Sequence, residues 1–252
     1  MTSVRYEKDG AVGIVTLAKP PHNLIDNALL NDLTAAYERA VAQGCRSILL
    51  RSSMRHFCAG ADLNVIFAER IDQAGLEKLW AALEDVPIPT VAAVHGAALG
   101  GGFELALVCD MIVAADTASF GMAEASLGLL PLLGGVQRVV QRAGPARGKE
   151  LAMFGRRHDP RALERWGVIN LVAAESELGE VSMSWARQLA AGATVALRGI
   201  KTVANLAVRQ GISAADEKQS QVNDAMWASA DQARGLAAFA ATGPGSAIFE
   251  GN

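Results

Sequence analysis

Cysteine is scarce and unpatterned in this 252-residue chain: Cys45, Cys58 and Cys109 are an odd number with neither CxxC nor Cys/His ligand spacing. That argues against a disulfide framework and a metal site, and leaves three core thiols. Charge is thin as well, with 19% Asp, Glu, Lys and Arg, a net −3 at pH 7 and a pI near 5.8. An acidic chain without a basic run has no general electrostatic attraction for phosphate backbones, so no nucleic-acid partner is expected. Long apolar runs are missing: no stretch approaches the roughly 20 residues of a membrane helix, and Met1-Thr2-Ser3-Val4-Arg5-Tyr6-Glu7 lacks a signal-peptide layout. No membrane and a cytoplasmic location are the expectation. Neither GxGxxG nor GxxxxGKS/T occurs, which argues against dinucleotide and P-loop binding.

What the chain has is apolar surface and glycine. Hydrophobic residues make up 51% and mean hydropathy is +0.21, more than one soluble core needs, so part of the surplus is expected between subunits. The length suits one large domain or a domain with an appendage. Val4-Arg5-Tyr6-Glu7 and Val12-Gly13-Ile14-Val15-Thr16-Leu17 flank a tight turn and read as a hairpin. Asp26 can cap a helix with Leu29, Leu30, Leu33, Ala36, Tyr37 and Ala40 at helical spacing, ended by Gly44. Strands follow at Ser47 to Ser52, Thr90 to Val94 and Asp110 to Ala115. A helical region runs from about Val65 to Asp85, giving a β-α-β-α-β-α-β order with the loops after the strands at one edge. The apolar, glycine-punctuated segment from Phe120 to Gly135 is expected to be buried. Beyond it come helices to Ala143-Gly144, across Ala146 to Phe154, from Asp159-Pro160, and from Leu178 to Ala241, with a short strand at Val168 to Val172.

The chemistry centres on Gly100-Gly101-Gly102-Phe103-Glu104. Three glycines at the start of a mostly apolar helix indicate backbone brought close to something, and the free N–H groups there favour negative charge. The Phe57-Cys58-Ala59-Gly60-Ala61-Asp62-Leu63 loop is a second stretch of small residues. One N–H from each segment could converge on a carbonyl oxygen, an arrangement worth about 2.7–4 kcal/mol per donor for a developing enolate. Two tight packing turns are the alternative. Glu104 and Glu124 both sit in apolar settings, which would raise at least one pKa if they share a cavity. A helix cap or an arginine pair for one of them is, on spacing alone, the commoner arrangement. His95 at a strand end reads as structural, and Arg138, Arg142 and Arg147 read as a solvated helix face.

Together, Phe57 to Leu63, Ala92 to Ala106, and Phe120-Gly121 through Glu124, Leu127-Gly128, Pro131 and Gly134-Gly135 resemble the enoyl-CoA hydratase/isomerase (crotonase) superfamily in order and spacing. The resemblance implies an α/β fold, a crotonase-like spiral of repeated ββα units over residues 1–192. It also implies a helical C-terminal region, 193–252, that trimerises, often into a dimer of trimers. By the same resemblance Ala61 and Gly101 supply the oxyanion-hole N–H groups. Glu104 activates water for attack at C3, and Glu124 delivers a proton to C2 of a 2-enoyl-CoA thioester. Cys58, Ala59, Gly60, Asp62, Leu63, Gly100, Leu132 and Leu133 would line the substrate site. No metal is implied, and no cofactor beyond the coenzyme A of the substrate.

The chain departs from the family pattern in places. Ala123-Glu124 replaces a frequent Pro-Glu, and Leu132-Leu133 replaces two tiny residues, which alters the acyl pocket. Asn64 stands where a lysine is common, and Gly243 to Phe249 lacks the usual basic residues. Retention of both acids favours a hydro-lyase over a Δ3,Δ2-enoyl-CoA isomerase. A non-catalytic acyl-CoA-binding or RNA-binding protein is the reading from another class, and the acidic pI counts against RNA.

Overall fold

The computed structural model describes residues 2–64 and 73–252. The first part of the helical region expected from Val65 lies outside the described residues.

Strands β1 (Val4–Asp9) and β2 (Val12–Leu17) form the expected hairpin, with Val4 opposite Leu17 and Asp9 opposite Val12. From β2 onward the sheet is parallel, through β3 (Ser47–Ser52), β4 (Thr90–Val94), β6 (Met111–Ala115) and β8 (Leu171–Ala173), in the order β1-β2-β3-β4-β6-β8. Every residue of β2 and β4 is buried, as suits parallel strands covered on both faces. Helix α1 (Asn27–Ala42) starts at Asp26, whose carboxylate accepts the Leu29 N–H at 2.8 Å. It buries the six apolar residues read from the sequence. It packs so closely that a Cβ on Gly13 would lie 2.8 Å from that of Ala40.

Helix α2 (Gln73–Glu84) leads to β4, which is followed by a short strand β5 (Ala97–Leu99) and helix α3 (Gly101–Val108). Likewise β6 is followed by β7 (Ser119–Gly121), and β5 and β7 pair in parallel as a second sheet. Cys58 joins this layer through a bridge to Ala98. Each turn of the chain thus gives a long strand, a short strand in the second layer and a helix. Two short strands of three residues carry no readable alternation, and the linear β-α-β order expected from the sequence does not contain them.

Two further differences concern the middle of the chain. Segment 123–130 is largely exposed, with Leu127 54% and Leu130 65% accessible, so only its ends are buried. The short strand lies at 171–173 and not at 168–172, because residues 167–170 form the turn that follows α5 (Pro160–Arg165). Helix α4 (Gly135–Phe154) breaks at Gly144, φ +80°, before Pro145, where the sequence divides it. Helix α5 begins at Asp159-Pro160, as read from the sequence, and the Asp159 carboxylate caps its N-terminus.

Helix α6 (Leu178–Ala191) packs on β3, β4 and β6. Helices α7 (Thr194–Gln210), α8 (Ile212–Trp227) and α9 (Ala230–Thr242) complete the helical C-terminal region. Lys201 on α7 pairs with Asp110 at 2.8 Å, and Arg209 pairs with Glu84 and Asp85. Ile200, Val208, Ile212, Trp227, Leu236 and Phe239 on these helices are all more than half exposed. Among the described residues no helix is long and apolar enough to cross a membrane, and no group of three His, Cys, Asp or Glu could hold a metal ion.

Candidate active site

Two of the three glycines leave no room for a side chain, and the one between them lies against the neighbouring loop. Gly100 has φ +50° and ψ −125°, and a Cβ there would sit 2.5 Å from Glu124 Oε1. A Cβ on Gly101 would be 3.6 Å from the Ala61 nitrogen, which places the two backbone segments side by side. On Gly102 it would collide with the Cys58 carbonyl. The start of α3 is therefore pressed against the 58–61 loop, an approach open only to bare backbone.

The N–H groups of Ala61 and Gly101 have no acceptor among the described residues. Neighbouring groups are spoken for: Asp62 N–H donates to the Ile25 carbonyl, and Gly100 N–H to that of Gly121, each at 2.8 Å. The Gly101 N–H belongs to the first turn of α3, where the helix offers it no partner and the dipole is positive. Two free donors from separate segments, side by side, suit one oxygen that gains negative charge.

Glu104, one turn into α3, is 1% exposed. Its Oε1 accepts N–H groups from Leu133 at 2.9 Å and Gly135 at 2.8 Å. Gly135 makes room for it, since a Cβ there would lie 2.7 Å from Glu104 Cγ. Burial pushes the Glu104 carboxyl up to about 7, and the nearby Glu124 adds to the rise. The two N–H groups and Arg138 hold it back. Glu124, at the start of a 3-10 turn (Glu124–Leu127), is also raised, by burial. Its Oε2 is buried and has no partner, a setting that favours the protonated form.

Both acids face one cavity of about 560 Å³. Its wall includes Ala59, Gly60, Ala61, Leu63, Gly100, Gly101, Leu132 and Leu133, so most residues picked from the sequence meet there. Cys58 and Asp62 do not line it. Cys58 is fully buried behind the wall, its thiol against the Asn23 carbonyl at 3.0 Å. Asp62 turns to its own loop and accepts the Asn64 N–H at 3.1 Å. Leu30, Leu76, Leu79, Leu127, Leu129 and Leu130 add to an apolar lining. His95 is structural, with Nε2 at 2.8 Å from the Met54 carbonyl.

Three supporting residues have roles that the sequence does not reveal. Asn23 is fully buried with φ +53°, a conformation asparagine tolerates better than most residues. Its amide donates to Ser52 Oγ and the Phe57 carbonyl and accepts the Lys19 N–H, which braces the loop leading to Ala61. Arg138 and Arg142 are not a solvated face. Arg142 donates to the Leu107, Cys109 and Val168 carbonyls. Arg138 grips Glu84 and the Leu133 and Gly134 carbonyls. Glu84 is 54 positions from Arg138, and nothing local announces that pairing.

A layered ββα spiral with two acids and two free amides in one cavity defines a crotonase-fold enzyme. The sequence model of the enoyl-CoA hydratase/isomerase family matches residues 7–247. A probable enoyl-CoA hydratase of Mycobacterium tuberculosis is 35% identical over 243 residues, 94% of each chain. The 2,3-dehydroadipyl-CoA hydratase of Escherichia coli is 31% identical, covering 95% of this chain and 96% of that protein. A solved enoyl-CoA hydratase subunit from Geobacillus kaustophilus superposes with a TM-score of 0.93 at 35% identity, over 99% of this chain and 98% of that one. The chain belongs to the enoyl-CoA hydratase/isomerase family.

Proposed function

We propose that this protein is a hydro-lyase that adds water across the C2=C3 bond of a 2-enoyl-CoA thioester. The observation that carries the reading is that Glu104 and Glu124 line one cavity beside the adjoining free N–H groups of Ala61 and Gly101. The thioester carbonyl accepts both N–H groups. Glu104 takes a proton from water as its oxygen bonds to C3, and the electron pair moves through C2 to the carbonyl oxygen as an enolate. Glu124 then gives its proton to C2 and the carbonyl reforms. The oxyanion donors act on charge that is absent in the ground state, so they lower the barrier more than they tighten binding. Addition of water is redox-neutral and calls for no cofactor beyond the coenzyme A of the substrate.

The leucine lining supports an unfunctionalised acyl chain, since no lysine or arginine among the described wall residues could pair with a charged terminus. The exposed apolar side chains of α7 to α9 support a homotrimer or a dimer of trimers. Three unpaired thiols suit a reducing, cytoplasmic setting.

Purified protein with 2-enoyl-CoAs of increasing chain length should discharge the absorbance of the conjugated thioester and incorporate 18O from labelled water. Glu104→Gln and Glu124→Gln should each lower kcat by about 10²-fold or more. No turnover at any chain length, or full activity in both variants, refutes the assignment. Turnover of 3-enoyl-CoA without 18O uptake establishes an isomerase instead.

A further inference from the structure

The Arg138 side chain lies on the far side of the 133–135 turn from the catalytic cavity. Its Nη1 donates to the Leu133 and Gly134 carbonyls, each at 3.2 Å. The opposite side of the same three residues offers the Leu133 and Gly135 N–H groups to Glu104. Glu84 fixes the guanidinium in a fork, with Nε to Oε1 at 3.0 Å and Nη2 to Oε2 at 2.7 Å. Both side chains are mostly buried, 14% and 18% exposed. Glu84 Oε2 also accepts Arg209 from α7 at 2.7 Å, so the C-terminal helices hold the outer end of the chain of contacts. Gly134 has φ +83° and a Cβ there would strike Arg138 Nη1, which shows how tightly the turn is drawn onto the guanidinium.

We propose that Arg138 and Glu84 are a positioning pair that holds the Leu133–Gly135 turn so that its two N–H groups meet the Glu104 carboxylate. The geometry carries this. The fork to Glu84 fixes the guanidinium, and its remaining Nη1 holds the Leu133 and Gly134 carbonyls. The Gly134 carbonyl shares a peptide plane with the Gly135 N–H, so holding one directs the other, on the opposite side, at Glu104. The charged groups facing Glu104 are Glu124 from the 3-10 turn and Arg138 itself, and Arg138 lowers the Glu104 value while Glu124 raises it. Loss of Arg138 removes both the aim of the turn and the stabilising charge, and each loss favours the protonated acid. The role assigned to Glu104 in the hydration reaction is assumed here.

Arg138→Met is expected to lower kcat about tenfold with KM for a 2-enoyl-CoA changed less than about twofold, and to move the acid limb of the pH profile upward. Arg138→Lys keeps a charge but not the fork, so its limb should lie near that of the wild type while kcat stays low. Glu84→Gln, nearly the same shape, should lower kcat by about threefold and serves if Arg138→Met does not fold. A limb and kcat that match the wild type in these variants, with only thermal stability reduced, would overturn the proposal. A second readout does not depend on turnover. With 13C-carboxyl glutamate, the Glu104 resonance, assigned by its loss in Glu104→Gln, should titrate at higher pH in Arg138→Met, and an unmoved midpoint refutes the pair's role. A wild type inactive on every 2-enoyl-CoA overturns the hydratase reading alone, and the 13C titration still decides this one.

Discussion

Gly100 and Glu124, 24 positions apart, are in such close contact that a side chain on the first would occupy the place of the second's carboxylate, with a Cβ 2.5 Å from Oε1. The backbone at the start of α3 is thus the wall against which the Glu124 carboxylate rests. Gly100→Ala must both displace Glu124 and adopt φ +50°. It is expected to destabilise by about 1–3 kcal/mol and to lower kcat at least tenfold. Calorimetry and turnover on one preparation check it, and a variant as active as the wild type would refute the contact.

The buried Glu104 ties stability to pH in a definite direction. Its value is raised from 4.5 to about 7, so the folded chain binds more protons than the unfolded one between those limits. The stability it contributes is full below about 4.5 and is lost as pH rises through 7, by roughly 3 kcal/mol at most. Glu104→Gln keeps an oxygen for the Leu133 and Gly135 N–H groups and does not titrate. Its melting temperature should exceed that of the wild type by several degrees at pH 8, and the gap should close near pH 4.5. Activity runs the other way. With Glu104 as base, the acid limb of kcat/KM should have its midpoint near 7.

Asn23→Ala tests the brace beneath the 58–61 loop. It leaves the buried Phe57 carbonyl without the Asn23 amide, which now lies at 2.9 Å, and the Lys19 N–H without its acceptor. A loss of about 1–3 kcal/mol in denaturant unfolding is expected. Because Ala61 follows Phe57 by four residues, kcat should fall while the pH profile keeps its midpoint.

Leu132 and Leu133 narrow the cavity, the second with Cδ1 3.3 Å from where a Gly101 Cβ would be. Replacement by glycine and alanine removes several methyl and methylene groups, each worth about 0.8 kcal/mol of apolar contact. The ratio of kcat/KM for eight-carbon to four-carbon 2-enoyl-CoA should rise about tenfold or more. An unchanged ratio would mean that these leucines do not touch the acyl chain.

All three cysteines should resist alkylation in the native protein. Each is buried, and burial pushes Cys58 up to about 12 and Cys109 to about 11, far from the reactive thiolate. Native protein treated with iodoacetamide should keep its mass and activity, and modification of Cys58 before unfolding would contradict its place behind the cavity wall.

Local chemistry is what the sequence by itself determined. The Asp26 cap with its apolar stripe, the hairpin turn, the break at Gly144-Pro145 and the glycines at the start of α3 each depend on residues a few positions apart. Glu104 and Glu124 also stood out, because glutamates in apolar surroundings are rare at any position. Tertiary structure alone decided which distant groups meet. The paired strands β5 and β7 are too short to show a period, and the leucines of 123–130 were expected inside because hydropathy does not reveal that a segment forms the edge of a cavity. Arg138 reads as surface in the sequence, since an ion pair with Glu84 across 54 residues leaves no trace in either neighbourhood. The three glycines were legible as bare backbone needed for close approach. That they lie beside Glu124, Ala61 and Cys58 in turn follows only from the packing of α3 against the 58–61 loop and the 3-10 turn.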